Sequence, residues 1–243
     1  MAAMERVSRV VADEGCEVAA AIMYGISPVH TDEWFADRVR EFVSWGITDA
    51  IYVEDAAGIM TPERAKTLLP ALVAAAGDVP VEFQCHNTVG VAGMNYLIGV
   101  EAGVKVLHTA PGPLANGPSL PSTEQTCENL RWEGHTTKVD LERVRRISAH
   151  MRRVAEQEGH PVGVPNEYNV FPYHHQLPGG MTGPLKAQLA EYGMSSRFVA
   201  GSWRLTEVVS GTCFTQTAIF TAKAYLLGVS PGRPNRQQEG QGR

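Results

Sequence analysis

Glycines at positions 46, 77 and 103 each close a stretch of helical periodicity, and each is followed within a few residues by a short apolar run. The interval, roughly thirty residues, is the length of one strand-plus-helix unit. A chain punctuated in this way is restricted to folds in which parallel strands are joined by crossover helices, because a parallel pair cannot be closed by a tight turn.

The units can be followed in order. Met4, Val7, Val10 and Val11 stand at helical spacing over residues 3–14 and stop at Gly15. Residues 17–24 are short and uniformly apolar, as in a strand buried on both faces of a parallel sheet. Thr31 is placed to cap the next helix, with Asp32 and Glu33 in its first turn and Phe35, Val39, Phe42 and Val43 on one stripe. Residues 49–53 form the second strand and deliver Glu54 and Asp55 at its carboxyl end. Thr61 and Pro62 open a helix with Ala65, Leu68, Leu69, Leu72 and Val73 inward, in which Pro70 is expected to produce a kink. A strand over 79–85, a helix from about 91 to 102 and a strand over 104–109 complete this series.

In the strand 79–85, Val81, Phe83 and Cys85 alternate with Glu82, Gln84 and His86. Period-two alternation puts Gln84 and His86 on one face, where two donors could reach one small ion or one substrate. Read from pattern alone, a buried histidine satisfied by a neighbouring carbonyl is favoured over that role. Glu54/Asp55, Gln84/His86/Asn87 and His108/Thr109 all fall at carboxyl ends of successive strands, the face on which (βα) barrels build their sites. A barrel is therefore expected in preference to an open doubly wound sheet.

The second half is less regular. Residues 111–119 are dense in Gly and Pro, Ser122 and Gln125 are placed to cap a helix, and Asp140 opens a long helix whose arginines read as a solvated face. Residues 161–173 read as extended and 174–180 as a turn, with helices expected at 184–192, 196–208 and 214–227. His174 and His175, adjacent in such a segment, point opposite ways and so do not suit a shared metal. Residues 1–228 are expected to form a single domain and 229–243 a tail with nothing to bury.

With 243 residues and 44% hydrophobic content the chain can bury one full core. A formal charge of -5 and the absence of a basic run argue against nucleic acid or an anionic membrane as partner. Four cysteines without a CxxC pair argue against a disulfide framework, so a reducing cytoplasm is expected.

Four stretches, Ile51–Glu63, Gln84–Gly90, Asn116–Glu124 and His175–Met181, occur in an order that resembles the carboxyltransferase domain of pyruvate carboxylase, oxaloacetate decarboxylase and transcarboxylase. The superfamily also holds HMG-CoA lyase and isopropylmalate synthase. The similarity runs from Met4 to about Gly228. It implies an α/β fold, a (βα)8 TIM-barrel-like domain, here partial, with about five parallel strands and C-terminal helices. It also implies a divalent metal, Zn, Mn or Co, acting as Lewis acid on a 2-oxo acid or acyl thioester and stabilising an enolate, with a biotin on a separate carrier as the other partner. His86, Glu54 and Gln84 fall at the metal positions. Glu54, Asp55 and Asn87 are expected in catalytic roles, and Gln84, Asn116 and Gln176 in substrate binding.

The chain departs from the family pattern in four ways. Glu54 stands where the family carries a lysine that is carboxylated, Gln84 replaces the first histidine of an HxH pair, and the region Val208-Val209-Ser210 offers no match to the family's proton-shuttling threonine. The run 17–24 corresponds to the family's fourth strand, so a partner chain or further segment is expected to supply the first strands, and an oligomer is expected because open sheet edges need cover. Two readings follow. One is a metal-dependent carboxyltransferase-like or aldol-type enzyme; the other is a catalytically degenerate barrel half with a structural or regulatory role.

Overall fold

Thr31 and Thr61 each hold extended backbone and accept a hydrogen bond from the amide three residues on, Trp34 N and Arg64 N. These contacts satisfy amides that a helix start leaves without partners. They fix where two of the crossover helices begin, and with them the spacing of the repeat. The computed structural model describes residues 2–195; the expected helices at 196–208 and 214–227, the Val208–Ser210 region and the tail lie outside the described residues.

Helix α1 (Ala2–Asp13) leads into β1 (Ala19–Met23), α2 (Asp32–Ser44), β2 (Ala50–Asp55), α3 (Pro62–Ala76), β3 (Val81–Cys85), α4 (Ala92–Ala102) and β4 (Val106–Leu107). The strands form one parallel sheet in the order β1-β2-β3-β4. A 3-10 turn at Gly112–Leu114 is followed by α5 (Thr123–Trp132), α6 (Leu141–Gln157), α7 (Pro172–His175) and α8 (Gly179–Glu191). Ser122 and Asp140 cap α5 and α6 as their residue types require. Pro70 sits inside α3, which nevertheless spans Pro62–Ala76 as one helix. Residues through Thr182 form one compact unit; of a second, beginning at Gly183, the described part is α8 from Gly183 on and the turn after it.

The core lies between the sheet and its helices. Ile22 of β1, Ile51 and Val53 of β2, and Val81, Phe83 and Cys85 of β3 face Phe35, Val39 and Phe42 of α2, Leu68, Leu69 and Leu72 of α3 and Tyr96 of α4, all buried. Each large apolar side chain removed from water contributes about 1.5–3 kcal/mol. Shifting a strand by one residue would put that whole set on the wrong face, so the helix side dictates register. The opposite face then receives what alternates: exposed Ala19, Ala21 and Met23, and half-buried Tyr52, Glu54, Glu82 and Gln84.

The described residues hold four strands, against about five expected. Residues 161–170, expected to be extended, carry no regular secondary structure and join no sheet. Gly163 N donates to Pro113 O, Asn169 N donates to Val89 O, and the segment thereby crosses the loops at the carboxyl ends of the strands. The stretch read as a turn at 174–180 holds the end of the single helical turn of α7, a left-handed Gln176 and the start of α8.

Candidate functional site

In-register pairing of Glu54 with Gln84 places these side chains next to each other on the non-helical face, with His86 two residues on along the same side. Three of the expected site residues are thus brought together at the carboxyl ends of β2 and β3. His86 Nδ1 lies 2.6 Å from Pro118 O, and its Nε2 lies 3.0 Å from Gln84 Nε2. The other end of the Gln84 amide, Oε1, accepts from the hydroxyl of Tyr52. One layer deeper, Glu82 Oε2 is 2.9 Å from His108 Nε2, and the His108 ring packs on Tyr52 with centroids 4.8 Å apart. Burial, together with the carboxylates of Glu54 and Glu82, pushes the Tyr52 hydroxyl up to about 12, so it is a neutral donor at ordinary pH.

Asp55 faces the other way. Its fully buried carboxylate accepts from Ile59 N at 3.1 Å, from Met60 N at 2.7 Å and from the Cys85 thiol at 3.4 Å, on the helix side of the sheet. Burial raises its pKa and the hydrogen bonds from Met60, Ile59 and Cys85 partly offset that rise. It shapes the β2–α3 loop. In that loop Gly58 has φ +65°, and a Cβ there would lie 2.4 Å from His86 O, so the two strand ends meet only because residue 58 has no side chain.

Asn87 starts the rim. Its Oδ1 accepts from Ala92 N, and its Nδ2 donates to Asn116 Oδ1 at 3.1 Å and toward Asn166 Oδ1 at 3.4 Å. Asn116 holds a left-handed backbone with φ 70°. Asn166 returns the contact, donating to Asn87 O at 2.9 Å and to Thr88 O at 3.3 Å while accepting from Gly117 N. Sequence reasoning missed Asn166, which lies in an irregular run without periodic signal; it ties that run to the loops at Asn87–Thr88 and Gly117. Gln176 accepts from Ile26 N with Oε1 at 3.0 Å and donates to Ile26 O with Nε2 at 3.2 Å, so both ends of its amide hold the β1–α2 loop. The side chains of His174 and His175 lie outside the described residues.

The donors available to a divalent ion at this place are one imidazole, one carboxylate and one amide. Among the described residues no three His, Cys, Asp or Glu side chains converge to hold a metal. Both ring nitrogens of His86 are also engaged. The set therefore does not fit a complete metal site by itself, since such an ion takes four or more ligands.

A parallel βα repeat whose strands end in a polar cluster, with the opposite face packed under helices, defines an α/β barrel-type enzyme scaffold. The chain belongs to the HMGL-like family, whose model matches residues 4–151. It is 34% identical over 198 residues to a pyruvate carboxylase chain of Methanothermobacter thermautotrophicus, covering 80% of this chain and 34% of that protein. It is 28% identical over 193 residues to the methylmalonyl-CoA carboxyltransferase 5S subunit of Propionibacterium freudenreichii subsp. shermanii, covering 75% and 36% respectively. The chain thus spans about a third of the length of these relatives. The carboxyl transferase domain of Rhizobium etli pyruvate carboxylase, in a structure with pyruvate, superposes with a TM-score of 0.83 at 25% identity, over 93% of this chain and 39% of that one. The α/β class and the carboxyltransferase-type resemblance expected from the sequence both hold. Among the described residues no helix is long and apolar enough to cross a membrane.

Proposed function

We propose that this chain contributes part of the active site of a carboxyltransferase-type enzyme that acts next to the carbonyl of a 2-oxo acid or acyl thioester through an enolate. The observation that carries the reading is the convergence of Glu54, Gln84 and His86 on one face at the carboxyl ends of adjacent parallel strands. Membership of the family and the likeness to a carboxyl transferase domain in a structure with pyruvate support it. In this reading Glu54 supplies the negative charge and proton acceptor beside the reacting carbon, while Gln84 and His86 orient the substrate's oxygens. Asn87 and Asn116 hold the rim, and Asp55 and Gln176 position the loops that carry it. A segment or partner chain adding further barrel strands, and a biotin-bearing carrier, are the assembly partners this reading implies. Any divalent ion would take ligands from that added part as well.

A second reading, a barrel half with a structural role, is favoured by the engagement of both His86 nitrogens within the chain. Solvent deuterium exchange into pyruvate, followed by proton NMR with the chain in its native assembly, separates the two. Exchange that falls at least tenfold in Glu54→Gln, about 1.4 kcal/mol of barrier, with thermal stability unchanged supports the catalytic reading. Exchange absent from the wild-type assembly overturns it in favour of the scaffold, and exchange equal in wild type and variant removes Glu54 from the site.

A further inference from the structure

Asn116 and Gly117 form the one Asn-Gly pair in the sequence. In such a pair the glycine amide nitrogen, which no side chain shields, can attack the asparagine side-chain carbon. A bond forms between Gly117 N and Asn116 Cγ, the bond from Cγ to Nδ2 breaks, and Nδ2 leaves as ammonia, taking up the proton that Gly117 N gives up. Water or hydroxide then opens the cyclic imide at either carbonyl, giving aspartate or its backbone-extended isomer, isoaspartate. The solvent supplies every reagent, so an unrestrained Asn-Gly loop decays on its own in neutral or alkaline water.

Here both reacting groups are held. Gly117 N donates to Asn166 Oδ1 at 3.1 Å, and Asn116 Oδ1 accepts from Asn87 Nδ2 at 3.1 Å. The orientation of each side-chain amide is fixed by backbone groups, since an N–H can only donate and a carbonyl can only accept. Asn87 Oδ1 takes the Ala92 N–H, which leaves its Nδ2 for Asn116. Asn166 Nδ2 donates to the carbonyls of Asn87 and Thr88, which leaves its Oδ1 for Gly117. Within the turn, Asn116 N donates to Leu120 O at 2.7 Å and Ser119 N to Asn116 O at 3.0 Å, and Asn116 itself is buried. To react, the Gly117 amide must give up its hydrogen and aim its nitrogen at Cγ, so its bond to Asn166 has to break first.

We propose that Asn116–Gly117 is a site of spontaneous deamidation gated by Asn166, closed while Asn166 lies on the loop and open when residues 161–170 lift from it. Those residues carry no regular secondary structure, so lifting them breaks isolated bonds and no ladder. The product places a carboxylate beside Asn87 at the rim of the strand ends, and isoaspartate also lengthens the backbone of a turn that depends on the left-handed φ of 70° at residue 116. The reaction is intrinsic to the chain and does not rest on the carboxyltransferase-type reading.

The test is incubation of the full chain in mildly alkaline buffer, with conversion at residue 116 followed by peptide mapping and mass spectrometry and isoaspartate counted by enzymatic methylation. The same chain unfolded in urea gives the unprotected rate. In the folded wild type, conversion is expected to be slower than in the unfolded chain by about tenfold or more; equal rates overturn the proposal. In Asn166→Ala, conversion at residue 116 is expected to rise by about tenfold or more over the folded wild type while Asn95 and Asn129 stay unconverted. A rate unchanged by the substitution, or a rise shared by Asn95 and Asn129, overturns the gating role of Asn166. A measurement on the wild type alone covers the case in which that variant folds poorly. Deamidation at Asn116 and hydrogen exchange at Gly117 need the same opening, so their slowing factors relative to the unfolded chain should agree within about threefold. Deamidation that outruns the exchange of the Gly117 amide overturns the gate.

Discussion

Asp55 and Cys85 are register partners on β2 and β3, and the Cys85 thiol donates to Asp55 Oδ2 at 3.4 Å within the buried layer. The same carboxylate holds the Ile59 and Met60 amides. Asp55→Ala strands two buried donors, and a cost of about 3–5 kcal/mol is expected in urea denaturation. A change below about 1 kcal/mol contradicts this role.

The same residue gives an unusual acid response. Because burial raises the folded pKa above its ordinary value of 3.8, the folded state takes up the proton at higher pH than the unfolded chain. Its contribution to stability is full below 3.8 and is lost as pH rises through the folded value. The stability of wild type relative to Asp55→Asn should therefore fall as pH is raised from about 3 to neutrality, measured as the difference between two sets of denaturation midpoints. A difference that grows with pH shows the sign to be wrong.

Tyr24 provides the alkaline counterpart. Burial, and secondarily the charge of Asp55, pushes its hydroxyl from 10.0 up to about 12. Its stabilising contribution is present below pH 10 and lost as pH rises through about 12. Absorbance at the tyrosinate band should show late-ionising groups, and Tyr24→Phe, which keeps the stack on Phe35, should remove one of them and blunt the loss of stability above pH 10. Early titration of every tyrosine contradicts the burial argument.

At Gly58 a methyl group would meet the backbone carbonyl oxygen of His86 at 2.4 Å, and the φ of +65° is itself unfavourable for alanine. Gly58→Ala is expected to cost about 2 kcal/mol or more and to shift the backbone signals of residues 86–88. A neutral substitution with unmoved signals rules out the close approach.

Asn166→Ala removes the acceptor of Gly117 N and the donor to Asn87 O and Thr88 O. Amide exchange at Gly117 should quicken by about tenfold or more, the equivalent of about 1.4 kcal/mol, while strand amides in β2 and β3 stay protected. Uniform quickening across the sheet indicates global rather than local loosening.

The helices were legible because their signals are local: Thr31, Thr61, Ser122 and Asp140 cap where the hydroxyl or carboxylate type demands, and Gly77 and Gly103 end what precedes them. The shared face of Gln84 and His86 was legible for the same reason, period two within one strand. What stayed hidden depends on distant partners. Gln176 reaches Ile26 across 150 positions, and Asn166 reaches Asn87 across 79, with no pattern in the intervening chain to announce either. Asp55 lay between: its alternation with Glu54 fixes that they face opposite ways, but only the loop amides say what its carboxylate does. The run 161–170 joins no ladder, and two of its amides, Gly163 N and Asn169 N, bond the loop carbonyls of Pro113 and Val89 instead.

The strict alternation along β2 and β3 carries an implication for how the chain assembles. A slip of one position between these strands would drive Glu54, Gln84 and their neighbours into hydrocarbon while casting Phe83 and Val53 into water. Mispaired intermediates are thereby penalised twice, and the polar groups gathered for reactivity also proofread the pairing on which their own arrangement depends.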